Sequence, residues 1–228
     1  MKIIFFLLIL VSNALAETKL LLIGGGKRPA EAMQEFVSLA GADKSRILII
    51  PWASASLEGA ENIKKELLSS GAIDVSIAGL TLTDIDSFTG IFFTGGDQNV
   101  LMTHLLANNL IEPFRQRFIQ GVVFGGTSAG TAIMSDPMIN GETPVGLVTG
   151  LGLLPAGIIV DQHFIVRQRF NRLAGLILER GGMGIGVDEG TSFLILGKFA
   201  KVIGPSKVII IQKSNVTELN PGDFFDMP

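Results

Sequence analysis

The chain has 228 residues, enough for one large domain with a substantial core. Hydrophobic residues make up 47% of it and charged residues 17%, proportions that exclude a disordered protein. Cysteine is absent, which excludes disulfides, thiolate metal ligation, a thiol nucleophile and cysteine-linked lipid.

The chain opens with MKIIFFLLILVSNALA, in which Lys2 precedes an apolar stretch from Ile3 to Val11 and Ala14-Leu15-Ala16 forms a small-residue cleavage site. This is the pattern of an export signal whose apolar part is too short for a membrane span. Residues 1–16 are expected to be removed after Ala16, leaving 17–228 as a single α/β domain in the periplasm or outside the cell. Losing Lys2 takes 18 Lys and Arg to 17 against 21 Asp and Glu, a net charge of -4. That balance gives no support to nucleic-acid binding.

Beyond the signal, apolar runs alternate with helical patterns. KLLLIGGG reads as a strand, RPAEAMQEFVSLAGA as a helix, RILIIPW as a strand and SLEGAENIKKELLSSGA as a helix. DVSIAGL and GIFFTGG are the next strands, followed by helical DQNVLMTHLLANN and IEPFRQRFIQG and then the strand GVVFGG. AGIIVDQH and MGIGVDEG flank a basic helix, RQRFNRLAGLILERG, and the chain ends in the strands TSFLILG, FAKVIG and KVIIIQ. The strands are continuously apolar, as strands covered on both faces are. Their alternation with helices predicts a mostly parallel, doubly wound sheet with antiparallel edge strands added by the strand-rich end.

Four apolar runs end in polar punctuation: IFFTGGDQ, VVFGGTSAG, GIIVDQH and GIGVDEG. Ligands of an open parallel sheet sit beyond the carboxyl ends of its strands, so Gln98, Ser128, His163 and Glu189 are expected on one rim. Gly126-Thr127-Ser128-Ala129-Gly130 fits G-x-S-x-G, the sharp strand-to-helix bend that exposes a serine oxygen. The Ala129 amide, at the start of the following helix, is a candidate oxyanion donor, and a second donor is sought in Gly95-Gly96 or Asp97.

Serine needs a base, and the chain holds only two histidines. His104 lies inside a helical pattern and reads as a surface or packing residue, whereas His163 stands at a strand end and is the candidate base. For the acid that orients it, Asp161 is on the same strand and badly directed. Glu189 is preferred and Asp188 is second; adjacent strand residues face opposite ways, so only one of the two serves. Arg167, Arg169 and Arg172 form either a solvated helix face or a carboxylate-binding set. Gln98 is a candidate hydrogen-bonding group for a substrate amide or carboxylate. LLIGGGKRPAEA lacks both nucleotide-binding glycine patterns, Trp52 reads as packing, and Asn215-Val216-Thr217 is a weak glycosylation match. No histidines occur at metal-ligand spacing, so neither a metal nor another cofactor is expected.

LLIGGG, ILIIPWASAS, IFFTGGDQ, GGTSAGTAIMS, DQHFIVRQRFNRL and GIGVDEGTS together resemble the S51 family of serine peptidases, which includes aspartyl dipeptidase (dipeptidase E). DQHF followed by arginines is similar to its cyanophycinase branch. The resemblance implies a class I glutamine-amidotransferase-like fold with serine in the usual cysteine position. It further implies Ser128 as nucleophile, His163 as base and Glu189 as third member, with Gln98, Arg167 and Arg172 binding substrate. It implies cleavage of cyanophycin, a polyaspartate carrying arginine on its side chains, to β-Asp-Arg dipeptides. The chain is short for this branch and trimmed between Ser128 and His163. The alternatives are a related peptidase for other short aspartyl or isoaspartyl peptides, and a non-catalytic periplasmic binding protein on the same fold. Expected partners are cyanophycin or short β-aspartyl peptides, with no nucleic acid, no membrane anchor once the signal is cleaved, and a homodimer left open.

Overall fold

A computed structural model describes residues 17–82 and 84–228. The expected export signal lies outside the described residues. The first half of the chain runs β1 (Lys19–Ile23), α1 (Ala30–Leu39), β2 (Arg46–Ile50), α2 (Glu58–Ser69), β3 (Asp74–Ile77), β4 (Gly90–Phe93), α3 (Gln98–Ala107), α4 (Ile111–Ile119) and β5 (Val123–Thr127). A short α5 (Ala129–Ala132) and a two-stranded hairpin, β6 (Met138–Ile139) and β7 (Leu147–Val148), follow. Then come β8 (Ile158–Gln162), α6 (Phe170–Arg180) and β9 (Met183–Val187). The last strands are β10 (Ser192–Leu196), β11 (Phe199–Ile203), β12 (Val208–Gln212), β13 (Asn215–Leu219) and β14 (Phe224–Asp226).

The main sheet has eight strands in the order β14-β11-β10-β1-β5-β4-β2-β3. Strands β1, β5, β4, β2 and β3 pair in parallel, and β10 and β11 continue the sheet antiparallel, as the strand pattern predicts, with β14 added beyond β11. Alternate residues of the main sheet feed two cores. Leu21, Ile23, Ile47, Ile49, Phe92 and Val123 face α1 and α2, burying Phe36 and Ile63 among others. Leu20, Leu22, Leu48, Ile50, Phe93 and Phe124 face the opposite layer, with Phe114 of α4 and Leu101 of α3. Burial on both faces explains why these strands are apolar throughout.

One expectation is corrected. AGIIVDQH and MGIGVDEG do not join the main sheet. Strands β8 and β9 pair in parallel within a separate four-stranded sheet, ordered β13-β12-β9-β8. Val160, Ile185, Val187 and Ile210 of that sheet pack into the same core as Phe93 and Phe124. Its other face holds Ile159, Ile209 and Ile211 against Leu173 and Ile177 of α6. The rim is therefore shared by two sheets that contribute to one core, and not carried by one.

Candidate active site

Ser128 follows β5 directly and begins α5 with φ 53 and ψ -112, a conformation that costs a non-glycine residue about 1–3 kcal/mol. Hydrogen bonds hold the bend. The Ser128 N–H donates to Ile23 O at 3.0 Å, and Ser128 O accepts from the amides of Thr131 and Ala132, each at 2.9 Å. The Thr131 hydroxyl lies 2.8 Å from Gly126 O and 2.7 Å from Ile23 O, and accepts from the Ile23 N–H at 3.0 Å. The flanking glycines are set by close approach. A side chain on Gly126 would run into the Gly130 carbonyl, and one on Gly130 into the Phe93 carbonyl.

His163 lies one residue past β8 and is 7% exposed. Its Nε2 is 2.8 Å from Ser128 Oγ, and its Nδ1 is hydrogen-bonded to Glu189 Oε1. An ionised carboxylate only accepts, so Nδ1 carries the proton and Nε2 is left to accept from the serine hydroxyl. Burial pushes the His163 pKa below its ordinary value, against the upward pull of the Glu189 hydrogen bond; the Arg167 charge adds to the lowering. A neutral imidazole of this tautomer is what proton acceptance from serine requires.

The carboxylates around His163 divide cleanly. Asp188 faces away from the imidazole: its Oδ1 accepts from the amides of Ile165 and Val166 at 2.9 and 3.1 Å, and its Oδ2 from Ser206 Oγ at 2.7 Å. Asp161 is 1% exposed and is gripped by Arg172 through Nε at 2.6 Å and Nη2 at 2.5 Å, with Arg169 Nη1 at 3.2 Å. Arg172, expected to bind substrate, directs two of its nitrogens to this internal carboxylate. Arg169 also donates to Gln162 O at 2.7 Å, and burial lowers its pKa from the usual guanidinium range. Arg167 is exposed and makes no ion pair among the described residues.

Asp97, expected as one source of an oxyanion donor, has other partners in the structure. Its N–H donates to Ala53 O at 2.8 Å, and its carboxylate caps α3 by accepting from the amides of Asn99 and Val100. It is a helix cap, with no amide left to aim at an oxyanion. Gly96, at φ 141, lies so close to Ala53 that no side chain fits, and Gly95 approaches Ser128. Gln98 is buried, with its Nε2 donating to Ile139 O at 3.2 Å. His104 lies beside Trp52, with ring centroids 6.2 Å apart, and Trp52 Nε1 donates to Gly79 O. Both are packing residues. Gln162 was not singled out by its sequence, yet its Oε1 is 3.5 Å from Ser128 Oγ. Its position in DQH, one residue before His163 at a strand end, was the only available signal.

The model of peptidase family S51 matches residues 20–203. The chain belongs to that family. A cyanophycinase of Trichormus variabilis is 34% identical over 90% of this chain and 76% of its own length. One from Geminocystis herdmanii is 34% identical over 90% of this chain and 84% of its own. The crystal structure of a peptidase from an acI-B1 actinobacterium superposes with a TM-score of 0.72 at 21% identity, covering 93% of this chain and 97% of that one. The S51 chain described here is thus a serine-type peptidase on a class I glutamine-amidotransferase-like fold.

Proposed function

We propose that this S51 peptidase is an exported exopeptidase that hydrolyses cyanophycin to β-Asp-Arg dipeptides through Ser128, His163 and Glu189. The observation that carries the reading is that one imidazole touches both the serine oxygen and a carboxylate, each through a different ring nitrogen. Ser128 Oγ attacks the scissile carbonyl as His163 Nε2 takes its proton, and Glu189 stabilises the imidazolium. The amides of Gly96 and Ala129 receive the tetrahedral oxyanion. His163 then protonates the leaving amine, and water, deprotonated by the same imidazole, releases the acyl group. Arg167 binds a substrate carboxylate and Gln98 a substrate amide. The substrate class comes from the cyanophycinase relatives.

Ser128→Ala is expected to lower the release of arginine dipeptides by about 10⁴–10⁶-fold with the fold intact. Undiminished release from a folded variant would remove the mechanism. The rival reading is a peptidase for other short aspartyl or isoaspartyl peptides. Rates on β-Asp-Arg, β-Asp-Lys and α-Asp-Leu peptides separate the two, and preference for either of the last two would displace cyanophycin. Export by cleavage after Ala16 is part of the proposal, and amino-terminal sequencing of secreted protein beginning at Met1 would remove it.

A further inference from the structure

The loop after β1 was the one glycine-rich motif with no function, and it lies under the base. Three successive carbonyls, from the last residue of β1 into this loop, each receive an amide from a different part of the site. Ile23 O accepts from Ser128 N at 3.0 Å, Gly24 O from His163 N at 2.7 Å, and Gly25 O from Gly190 N, next to Glu189, at 2.9 Å. A single turn of backbone thus ties together the serine of the main sheet and the histidine and carboxylate of the second sheet.

The glycines of this turn leave room for those same segments. A methyl group on Gly25 would lie inside the van der Waals envelope of the His163 ring, nearest to Cε1 and Nε2. On Gly26 it would stop 3.3 Å from Glu189 Oε2, a tight but tolerable approach. The imidazole has little freedom to retreat. It is buried, its residue sits at φ 49, and both ring nitrogens are engaged.

We infer that Gly25 is a positioning residue: its bare backbone is the seat that sets the His163 ring between Ser128 and Glu189. The inference rests on the serine–histidine–glutamate reading for its catalytic consequence, but its structural content is independent of that reading. Any side chain at position 25 moves the ring, and a displacement of about 1 Å costs on the order of 10²-fold in rate.

The test uses the full mature chain with Gly25→Ala, and Gly71→Ala as control. Gly25 has φ +109 and Gly71 φ +98, so both substitutions carry similar backbone strain, but a side chain at 71 meets nothing within 4 Å. Gly25→Ala is expected to lower kcat on cyanophycin at least about 10²-fold with KM within about threefold, and Gly71→Ala to leave kcat unchanged. The chain has two histidines, so the imidazole proton resonances of His163 and His104 can be followed separately. Gly25→Ala should move the His163 titration. In a His163→Ala background the ring is gone, and the melting-temperature loss from Gly25→Ala should shrink to that of Gly71→Ala. Wild-type kcat in Gly25→Ala, an unmoved His163 titration, or a thermal loss that persists in full without the ring would each overturn the inference. An active Ser128→Ala would instead bring down the triad, and the titration and the double-variant comparison would still decide the role of Gly25.

Discussion

The proposed nucleophile and the proposed base of this site are built in opposite ways. Ser128 owes its position to neighbours in sequence: Gly126, Gly130, Thr131 and Ala132 shape the bend and hold it. His163 owes its position to residues far away, with Gly24 accepting its amide, Glu189 its Nδ1 proton and Gly25 leaving space for its ring. A strained serine can be encoded in five consecutive residues. A neutral, correctly directed imidazole at the seam of two sheets requires three separate segments to agree.

That difference is most sharply tested at the paired acids Asp188 and Glu189. Glu189→Gln should lower kcat by about 10²–10⁴-fold with little change in melting temperature, because the amide no longer fixes the tautomer or stabilises the imidazolium. Asp188→Ala should do the reverse. It leaves the amides of Ile165 and Val166 and the Ser206 hydroxyl without their acceptor, a loss of about 1–3 kcal/mol in stability. Steady-state rates and thermal melts on the two variants check the pair. Exchanged phenotypes would show that the base takes its support from the other carboxylate.

The same contrast explains what could be read from the chain. The alternation of apolar runs and helical patterns locates the parallel strands, and the Gly126–Gly130 motif locates the serine. Membership of β8 and β9 in a second sheet was hidden, because a strand covered on both faces is equally apolar in either sheet. Helix α6 was expected from Arg167 but begins at Phe170, since Asp188 draws the amides of 165 and 166 into a turn and Gln168 sits at φ 53. Strands β13 and β14 are largely exposed and β6 and β7 have two residues each, so none of these carries the apolar run that revealed the rest. Arg172 looked free for substrate because its partner, Asp161, is brought to it only by the fold.

Charge around the base offers a smaller and directional test. Burial holds the His163 pKa below the ordinary value near 6.5, Glu189 raises it and Arg167 lowers it. In the proposed mechanism the neutral imidazole is the active form, so kcat/KM should rise with pH through the lowered pKa and reach its plateau earlier than for a free histidine. Arg167→Gln removes a repelling cation, so the acid limb should move to higher pH, with KM rising about tenfold if the guanidinium also binds a substrate carboxylate. Glu189→Gln removes the stabilising acceptor, and its acid limb should move to lower pH. A pH–rate series on the two variants must give shifts of opposite sign. Shifts in the same direction would mean that the limb belongs to another group.

The smallest effect lies on the Ser128 side of the site, at Asp97. Its amide is committed to Ala53 and its carboxylate to the first turn of α3, so the side chain contributes to helix stability and not to the reaction. Asp97→Ala should cost about 1 kcal/mol in stability, the usual loss of an N-cap, with kcat within about twofold of the parent. Denaturant unfolding and steady-state rates measure the two quantities on one preparation. A rate loss of about 10²-fold or more would show that the cap also holds the loop from Gly95 to Asp97 in the geometry that the reaction needs. The local half of the site would then depend, like the histidine, on an arrangement that five consecutive residues do not encode.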